Sequence, residues 1–571
     1  MTYEYVVAGN PVKLEVDKDM VGVRYSEPAP YSFRAMFSEK IGADFDTRLE
    51  IPNEKFTILK KSDLPESTAV EKFGTALNIE KLGISRMSPI FKIGDTHVLA
   101  TDRILIGLRD VNEPISPLLS KINYKEIQAR GYGEYTVTLS SDSDPLEIAE
   151  KLNSSGIFSY VEPDFVNVGY SPSHNNAILE SYAQADDQLS QPVKATVPAS
   201  QQTKHPNAGA DKKIQHYGEQ PATKNGQNGN TNDNTTTVSS LFFRPEQYAI
   251  TRTKADQAWQ FAVGDPSIRI AVLDEGVDTK HADLQEYICG AFDASDNDEF
   301  QEPNAWDGHG TACAGLAAAV PHDASGVRGV AFGCSILAVR IAYSERPHGP
   351  WATTNGQIAS AIDWSWRNGA SILSNSWGGG APSNALINAF DRAKHYGREG
   401  KGCIIVVAAG NNQGPVSFPA NIPDVICVAA SNQNDEIKTK ESSDGESWWG
   451  SNFGPEVTVA APGVHNLTTD ITGSSGYNVN GDYFSQFNGT SSATPLVAGA
   501  CALILSANTM LSSNDVRNIL RETAEKVGDI EYINGRNDHF GYGRVNILRA
   551  VQSAAALVTK HDLAATAVRP N

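Results

Sequence analysis

From Leu241 onward, short runs of apolar residues alternate with longer amphipathic ones. The apolar runs lie at 268–273, 335–341, 372–375, 403–408, 424–429 and 456–460. A strand with one wet face alternates apolar and polar residues. These runs are apolar throughout, so both faces must be covered, as in a parallel sheet. Parallel neighbours need crossovers, usually helical, and 353–368 and 384–398 have helical character. The pattern predicts an α/β fold, a doubly wound and mostly parallel sheet spanning 241–560. Ligands in such domains bind beyond the carboxyl ends of the strands.

The first 170 residues have a different pattern. Segment 18–28 echoes 103–114, 55–63 echoes 134–142, and 84–94 echoes 158–169. Each copy reads strand, helix, strand, helix, strand, with helices at 67–82 and 145–153. That predicts two small α+β modules in tandem, 1–96 and 97–170, each with helices on one face of a sheet. Residues 171–240 are rich in Asn, Gln, Thr, Ser, Gly and Pro and have no hydrophobic period. Such a stretch buries too little apolar surface to offset its ordering entropy, so a flexible, protease-sensitive linker is expected there. Residues 561–571 form a short tail.

The formal net charge of -20 argues against a nucleic-acid partner. No apolar run is long enough to predict a membrane span. Residues 1–10 lack a basic region followed by an apolar one. A cytoplasmic chain, or one exported without such a signal, is therefore expected. The six cysteines lack zinc-like spacing and read as buried free thiols behaving as small hydrophobes.

Four stretches carry chemistry. Ser491 follows Gly489-Thr490 at the start of an Ala-rich helical run, where free N–H groups and the positive dipole end favour a developing anion. A hydroxyl there is either a nucleophile or an ordinary N-cap. Asp274 ends an apolar strand, where it can orient an imidazole or simply cap a turn with Gly276. His309 opens a helix of small residues and can shuttle a proton near neutral pH. Asn411 ends another apolar strand and can donate its amide to an oxyanion. The order Asp274, His309, Ser491 is one of those in which Ser-His-Asp triads occur on α/β scaffolds.

Asp-x-Gly-x-Asp at 274–278 with His281-Ala-Asp-Leu284, His-Gly-Thr-x-x-Ala-Gly at 309–315, Ala-Ala-Gly-Asn at 408–411 and Gly-Thr-Ser-x-Ala-x-Pro at 489–495 resemble the motifs of the subtilisin-like serine peptidases, the subtilase family. The resemblance covers 241–557. It implies a serine endopeptidase in which Ser491 attacks the scissile carbonyl, His309 relays its proton and Asp274 fixes the imidazole. Asn411 would bind the oxyanion, and the chemistry would need no cofactor. Ser376, Trp377 and Gly378, with Ala409 and Gly410, would line the site for protein or peptide substrates. The stretches 378–384 and 411–420 lack Asp and Glu, which predicts an apolar or broad primary pocket with Ser417 towards its floor. Glu275 stands where the family usually has a small residue. Its charge predicts a raised pH optimum or a taste for basic residues near the cleavage site. Asp283 matches an aspartate that binds structural calcium in many relatives, yet 320–326 offers only one further carboxylate, Asp323. Cys313 resembles a buried thiol beneath the catalytic His of some relatives. Residues 101–170 resemble the subtilase propeptide, a ferredoxin-like chaperone and inhibitor. That makes the N-terminal half a partner of the site and implies self-cleavage after Tyr170 or in the linker. Two alternatives remain: a narrow processing protease for one partner protein, and an inactive relative serving as a binding module.

Overall fold

The computed structural model describes residues 2–25, 50–51, 55–60, 84–93, 96–169, 243–344, 347, 349 and 351–567. All belong to one unit, Met1–His174 with Phe242–Asn571. The helix expected over 67–82, the linker and Tyr170 lie outside the described residues.

The first nine strands are β1 (Thr2–Val7), β2 (Asn10–Tyr25), β3 (Glu50–Ile51), β4 (Phe56–Lys60), β5 (Ile84–Ile93), β6 (Thr96–Leu108), β7 (Tyr124–Gly131), β8 (Glu134–Leu139) and β9 (Phe158–Gly169). All join one eleven-stranded sheet. The sequence recurrence has a counterpart in the pairing. Strand β2 lies antiparallel to both β4 and β5, and β6 lies antiparallel to both β8 and β9. The two triplets are fused edge to edge, because Phe91–Ile93 of β5 pairs with Thr96–Val98 of β6. Helix α1 (Pro145–Asn153) has Pro in its first turn, and the Asp144 carboxylate accepts from Leu146 N. Both features favour a helix start.

The later strands are β10 (Arg269–Asp274), β11 (Ile288–Asp293), β12 (Ser335–Arg340), β13 (Tyr343–Ser344), β14 (Trp351–Thr354), β15 (Ala370–Asn375), β16 (Ile404–Ala408), β17 (Ile426–Ser431), β18 (Val457–Pro462), β19 (Asn466–Thr469) and β20 (Tyr483–Phe487). Seven of them form a sheet in the order β11-β12-β10-β15-β16-β17-β18, parallel at every pairing. Strands β12, β15, β16, β17 and β18 are buried at every position, as their apolar composition requires. Helices α2 (His309–Ala318), α3 (Asn355–Arg367), α4 (Asn384–Tyr396), α5 (Thr490–Ala507), α6 (Ser513–Thr523) and α7 (Ile547–Ala567) complete the domain.

Two expectations need correction. Helix α5 is long and apolar enough to cross a membrane by length and composition, but 89% of it is buried within the protein. Its hydropathy is that of a helix packed against a sheet core. All six cysteines are free, yet Cys289 on β11 is exposed while the other five are buried. Strand β11 is the edge of its sheet, so covering there is incomplete.

Strand β9 ties the N-terminal half to the rest. Its end pairs antiparallel with β14, setting Asn167, Val168 and Gly169 opposite Thr353, Ala352 and Trp351. On another side, the Asn167 Oδ1 accepts from Ala381 N at 2.9 Å. Two buried β9 carboxylates reach helix starts. Asp164 Oδ1 accepts from Gly356 N of α3 at 2.9 Å. Glu162 accepts from Asn384 N and Ala385 N of α4 at 2.9 and 3.2 Å. First-turn N–H groups have no acceptor within their own helix and sit at the positive dipole end, so an external carboxylate satisfies both.

Candidate active site

Asp274 closes β10 and His309 opens α2. Gly310 permits their approach. A Cβ there would lie 2.1 Å from the Gly276 carbonyl oxygen and 3.0 Å from Asp274 Cβ, so a larger residue would force the helix off the strand. With glycine, His309 Nδ1 comes within 2.8 Å of Asp274 Oδ1, which also accepts from Glu275 N at 2.9 Å. Burial alone would lower the imidazole pKa. The charge and hydrogen bond of Asp274, with the charge of Glu275 behind them, instead raise it from 6.5 to about 8.

Ser491 lies in the first turn of α5 and is 4% exposed. Gly489 before the helix has φ +106°, a left-handed conformation open chiefly to glycine. A Cβ there would lie 3.4 Å from Asn411 Nδ2 and 3.5 Å from Ser491 N. Glycine therefore keeps the space bordering these two donors free of a side chain. The Asn411 amide is fixed by its other end, where Oδ1 accepts from Thr490 N at 2.8 Å and from Thr490 Oγ1 at 3.0 Å. Pro495 has no N–H for the Ser491 carbonyl one helical turn back. That carbonyl accepts instead from Ser376 Oγ at 3.0 Å and Cys313 Sγ at 3.7 Å. Ser491 Oγ in turn donates to the Ser376 carbonyl at 2.9 Å. Neither Thr490 nor Pro495 was singled out as a positioning residue in the sequence, although both lie inside the Gly-Thr-Ser-x-Ala-x-Pro stretch.

Ser376, Trp377 and Gly378 follow β15, and Ala409 and Gly410 follow β16. Cβ positions built on Gly378 and Gly410 would lie 3.3 and 3.0 Å from Ser417 Oγ, and the Ala409 carbonyl accepts from Ser417 N at 3.3 Å. Ser417 thus stands between the two segments. Trp377 is partly buried, and its indole N–H has no hydrogen-bond partner among the described residues. Glu275 is buried beside His309; burial and the charge of Asp307 push its carboxyl well above the ordinary range. Burial likewise pushes Asp307 up to about 7, against hydrogen bonds from Ser344 and Asn304. Asp307 lies two residues before His309, but nothing in its sequence neighbourhood marks it as a group of the site.

Asp283 lies apart from these residues, and its donors do not fit a cation. Its Oδ1 accepts from His322 N at 2.7 Å and its Oδ2 from Val327 N at 2.8 Å. A calcium ion needs six or more oxygens facing inward, whereas this loop turns N–H groups towards the carboxylate. Excess chelator is expected to leave the melting temperature unchanged. Asp283→Ala is expected to lower stability by roughly 1–3 kcal/mol for each backbone donor it orphans. A chelator-induced drop in melting temperature, followed by thermal scanning, would count against this arrangement.

The parallel sheet sets Asp274 at a strand end and His309 and Ser491 at helix starts, the kind of scaffold on which serine hydrolases carry their catalytic groups. The subtilase-family (Peptidase S8) model matches residues 265–543. Thermitase of Thermoactinomyces vulgaris is 35% identical over 318 residues, covering 55% of this chain and 99% of thermitase. A calcium-dependent protease of Trichormus variabilis is 33% identical over 335 residues, 52% of this chain and 48% of that protein. Fervidolysin of Fervidobacterium pennivorans, described as a keratinolytic enzyme related to subtilisin, shares the fold at TM-score 0.52 and 21% identity, over 79% of this chain and 61% of fervidolysin. The chain belongs to the subtilase family of subtilisin-like serine endopeptidases.

Proposed function

We propose that the chain is a zymogen that hydrolyses peptide bonds through an acyl-enzyme. The observation that carries this is the Asp274–His309 hydrogen bond set near a serine at a helix start, beside two donors that border one small space. Ser491 Oγ exchanges its bond to the Ser376 carbonyl for one to His309 Nε2 and attacks the scissile carbonyl carbon. Its proton passes to Nε2. The oxyanion formed accepts from Asn411 Nδ2 and Ser491 N. Collapse breaks the C–N bond, and the leaving amine takes the proton from His309. Water repeats the sequence on the ester, releasing the acid and restoring Ser491. Substrate backbone adds as a strand beside β14 and Ser376–Gly378. The primary pocket lies between Gly378 and Gly410, near Ser417, and takes apolar or varied side chains.

In this reading 97–170 is a propeptide-like inhibitor, and 1–96 is a second copy fused to it. Strand β9 already pairs with β14, the edge assigned to substrate, and Tyr170 follows its last residue. Intact mass of wild type and Ser491→Ala, incubated side by side, tests this. Wild type alone is expected to split, near residue 170 or within 171–240. A Ser491→Ala chain that splits equally fast would remove self-processing.

The raised His309 pKa sets the pH profile. The imidazole is a base only when neutral, so kcat/KM is expected to rise with pH through about 8. Glu275→Gln removes a carboxyl that favours the imidazolium to the extent that it ionises against its burial, so the acid limb should move to lower pH. An unmoved limb in a pH–rate profile would separate Glu275 from the mechanism.

A further inference from the structure

Lys438 and Asp444 form an ion pair at 3.2 Å with both side chains fully buried. The Lys438 ammonium also donates to the Thr439 and Glu446 carbonyls, each at 2.6 Å, and lies 5.1 Å from the Trp449 ring centre. A buried charge so fully partnered fixes the backbone around it, because any movement strands an unpaired ion. Glu446 projects from this turn. Its Oε2 accepts from Trp449 Nε1 at 2.6 Å. Its Oε1 meets Asn488 Nδ2 at 2.8 Å and His465 Nε2 at 2.9 Å. Asn488 Oδ1 accepts from His465 N at 2.7 Å. The side chain immediately before Gly489 is therefore held at both ends. The far end of the same segment touches the other oxyanion donor. Gly450 N donates to the Asn411 carbonyl at 3.2 Å, and the Gly450 carbonyl accepts from Gln413 N at 2.8 Å.

We propose that residues 438–452 brace both oxyanion donors at once, with Glu446 as a positioning residue for the Gly489–Ser491 turn. The inference rests on the reading of Ser491 and Asn411 given above. Oxyanion stabilisation depends on donors fixed before the charge develops, and misplacement by about 1 Å costs roughly 10²-fold in rate. Loss of the Glu446 contact shifts the turn by less, so an effect of about tenfold is expected.

The test uses the full chain with wild type, Glu446→Ala and Glu446→Gln, reading the rate at which a fluorophosphonate labels Ser491, peptide turnover and melting temperature. Glu446→Ala should lower labelling and kcat about tenfold with KM little changed. Glu446→Gln keeps an oxygen for Asn488 and His465 but sets an NH₂ group against the Trp449 N–H. It should lose melting temperature yet label within about twofold of wild type, a rescue that a merely structural role would not produce. If Glu446→Ala labels as fast as wild type, or if both variants lose rate only in step with melting temperature, the brace is refuted. A wild-type chain that neither turns over peptide nor takes label, even after a limited protease cut within 171–240 and dilution, overturns the reading of the site and the inference with it.

Discussion

Replacing Ser491 by Ala is expected to lower kcat for peptide hydrolysis by roughly 10⁶-fold, the size of the loss when the nucleophile of subtilisin is removed. The substitution takes away one oxygen and little else. Alanine suits the first turn of α5, and Ser491 N stays in place as a donor. The Ser491 carbonyl keeps its bond from Ser376 Oγ. What is lost structurally is the hydroxyl's bond to the Ser376 carbonyl, about 1 kcal/mol. KM should hardly change, because substrate pairs with backbone rather than with the hydroxyl. Residual turnover should still exceed that in water by roughly 10³–10⁴, since the oxyanion donors and binding remain. Steady-state assay of the variant, with its melting temperature as a folding control, checks this. Turnover above about one per cent of wild type would exclude Ser491 as the nucleophile.

Asn411→Ala is expected to cost roughly 10²–10³ in kcat, again with little change in KM; this range comes from the equivalent asparagine of subtilisin. The reason lies in the division of labour within one amide. Oδ1 is occupied by Thr490, so in the proposed mechanism Nδ2 is left to serve the developing charge, which exists only in the transition state. Alanine also orphans Thr490 N, and that could loosen the turn independently. Asn411→Asp separates the two effects. It keeps an acceptor for Thr490 but replaces the donor by a second negative charge. Both variants should fall to a similar kcat if donation matters. Recovery of wild-type turnover in Asn411→Asp would assign the asparagine to holding the turn only.

The sheet was legible because parallel strands buried on both faces have little compositional freedom. The runs at 335–341 and 403–408 match β12 and β16 to within a residue. Strand β11 was missed because Ile288-Cys-Gly-Ala-Phe-Asp mixes small and polar residues at a half-covered edge. The last two residues of β14, Thr353 and Thr354, fall within the helix expected over 353–368. Thr354 in fact caps α3, with its side chain accepting from Gln357 N and Gln357 returning the bond. Several N-terminal strands could be read from short amphipathic runs, but not the joining of β5 to β6, since edge-to-edge pairing through three residues leaves no periodic signal. At the site, residues inside short motifs were accessible. The calcium expectation at Asp283 rested on its match to an aspartate of relatives, and composition does not reveal that the His322 and Val327 N–H groups point towards its carboxylate. Glu446 lay beyond reach for a similar reason. Its importance comes from contacts with His465 and Asn488, which only the fold brings near.

The carboxylates of Glu162 and Asp164 bridge two parts of one covalent chain, and this has a consequence for control. While the chain is whole, the helix starts of α3 and α4 meet their caps at a high effective concentration fixed by the connection. A single cut in the connecting segment turns the same contacts into an association between separate molecules. Their occupancy then depends on how much protein is present. In the proposed zymogen the cut enzyme would stay silent where it is concentrated and begin to work on dilution, with no change in any contact described here.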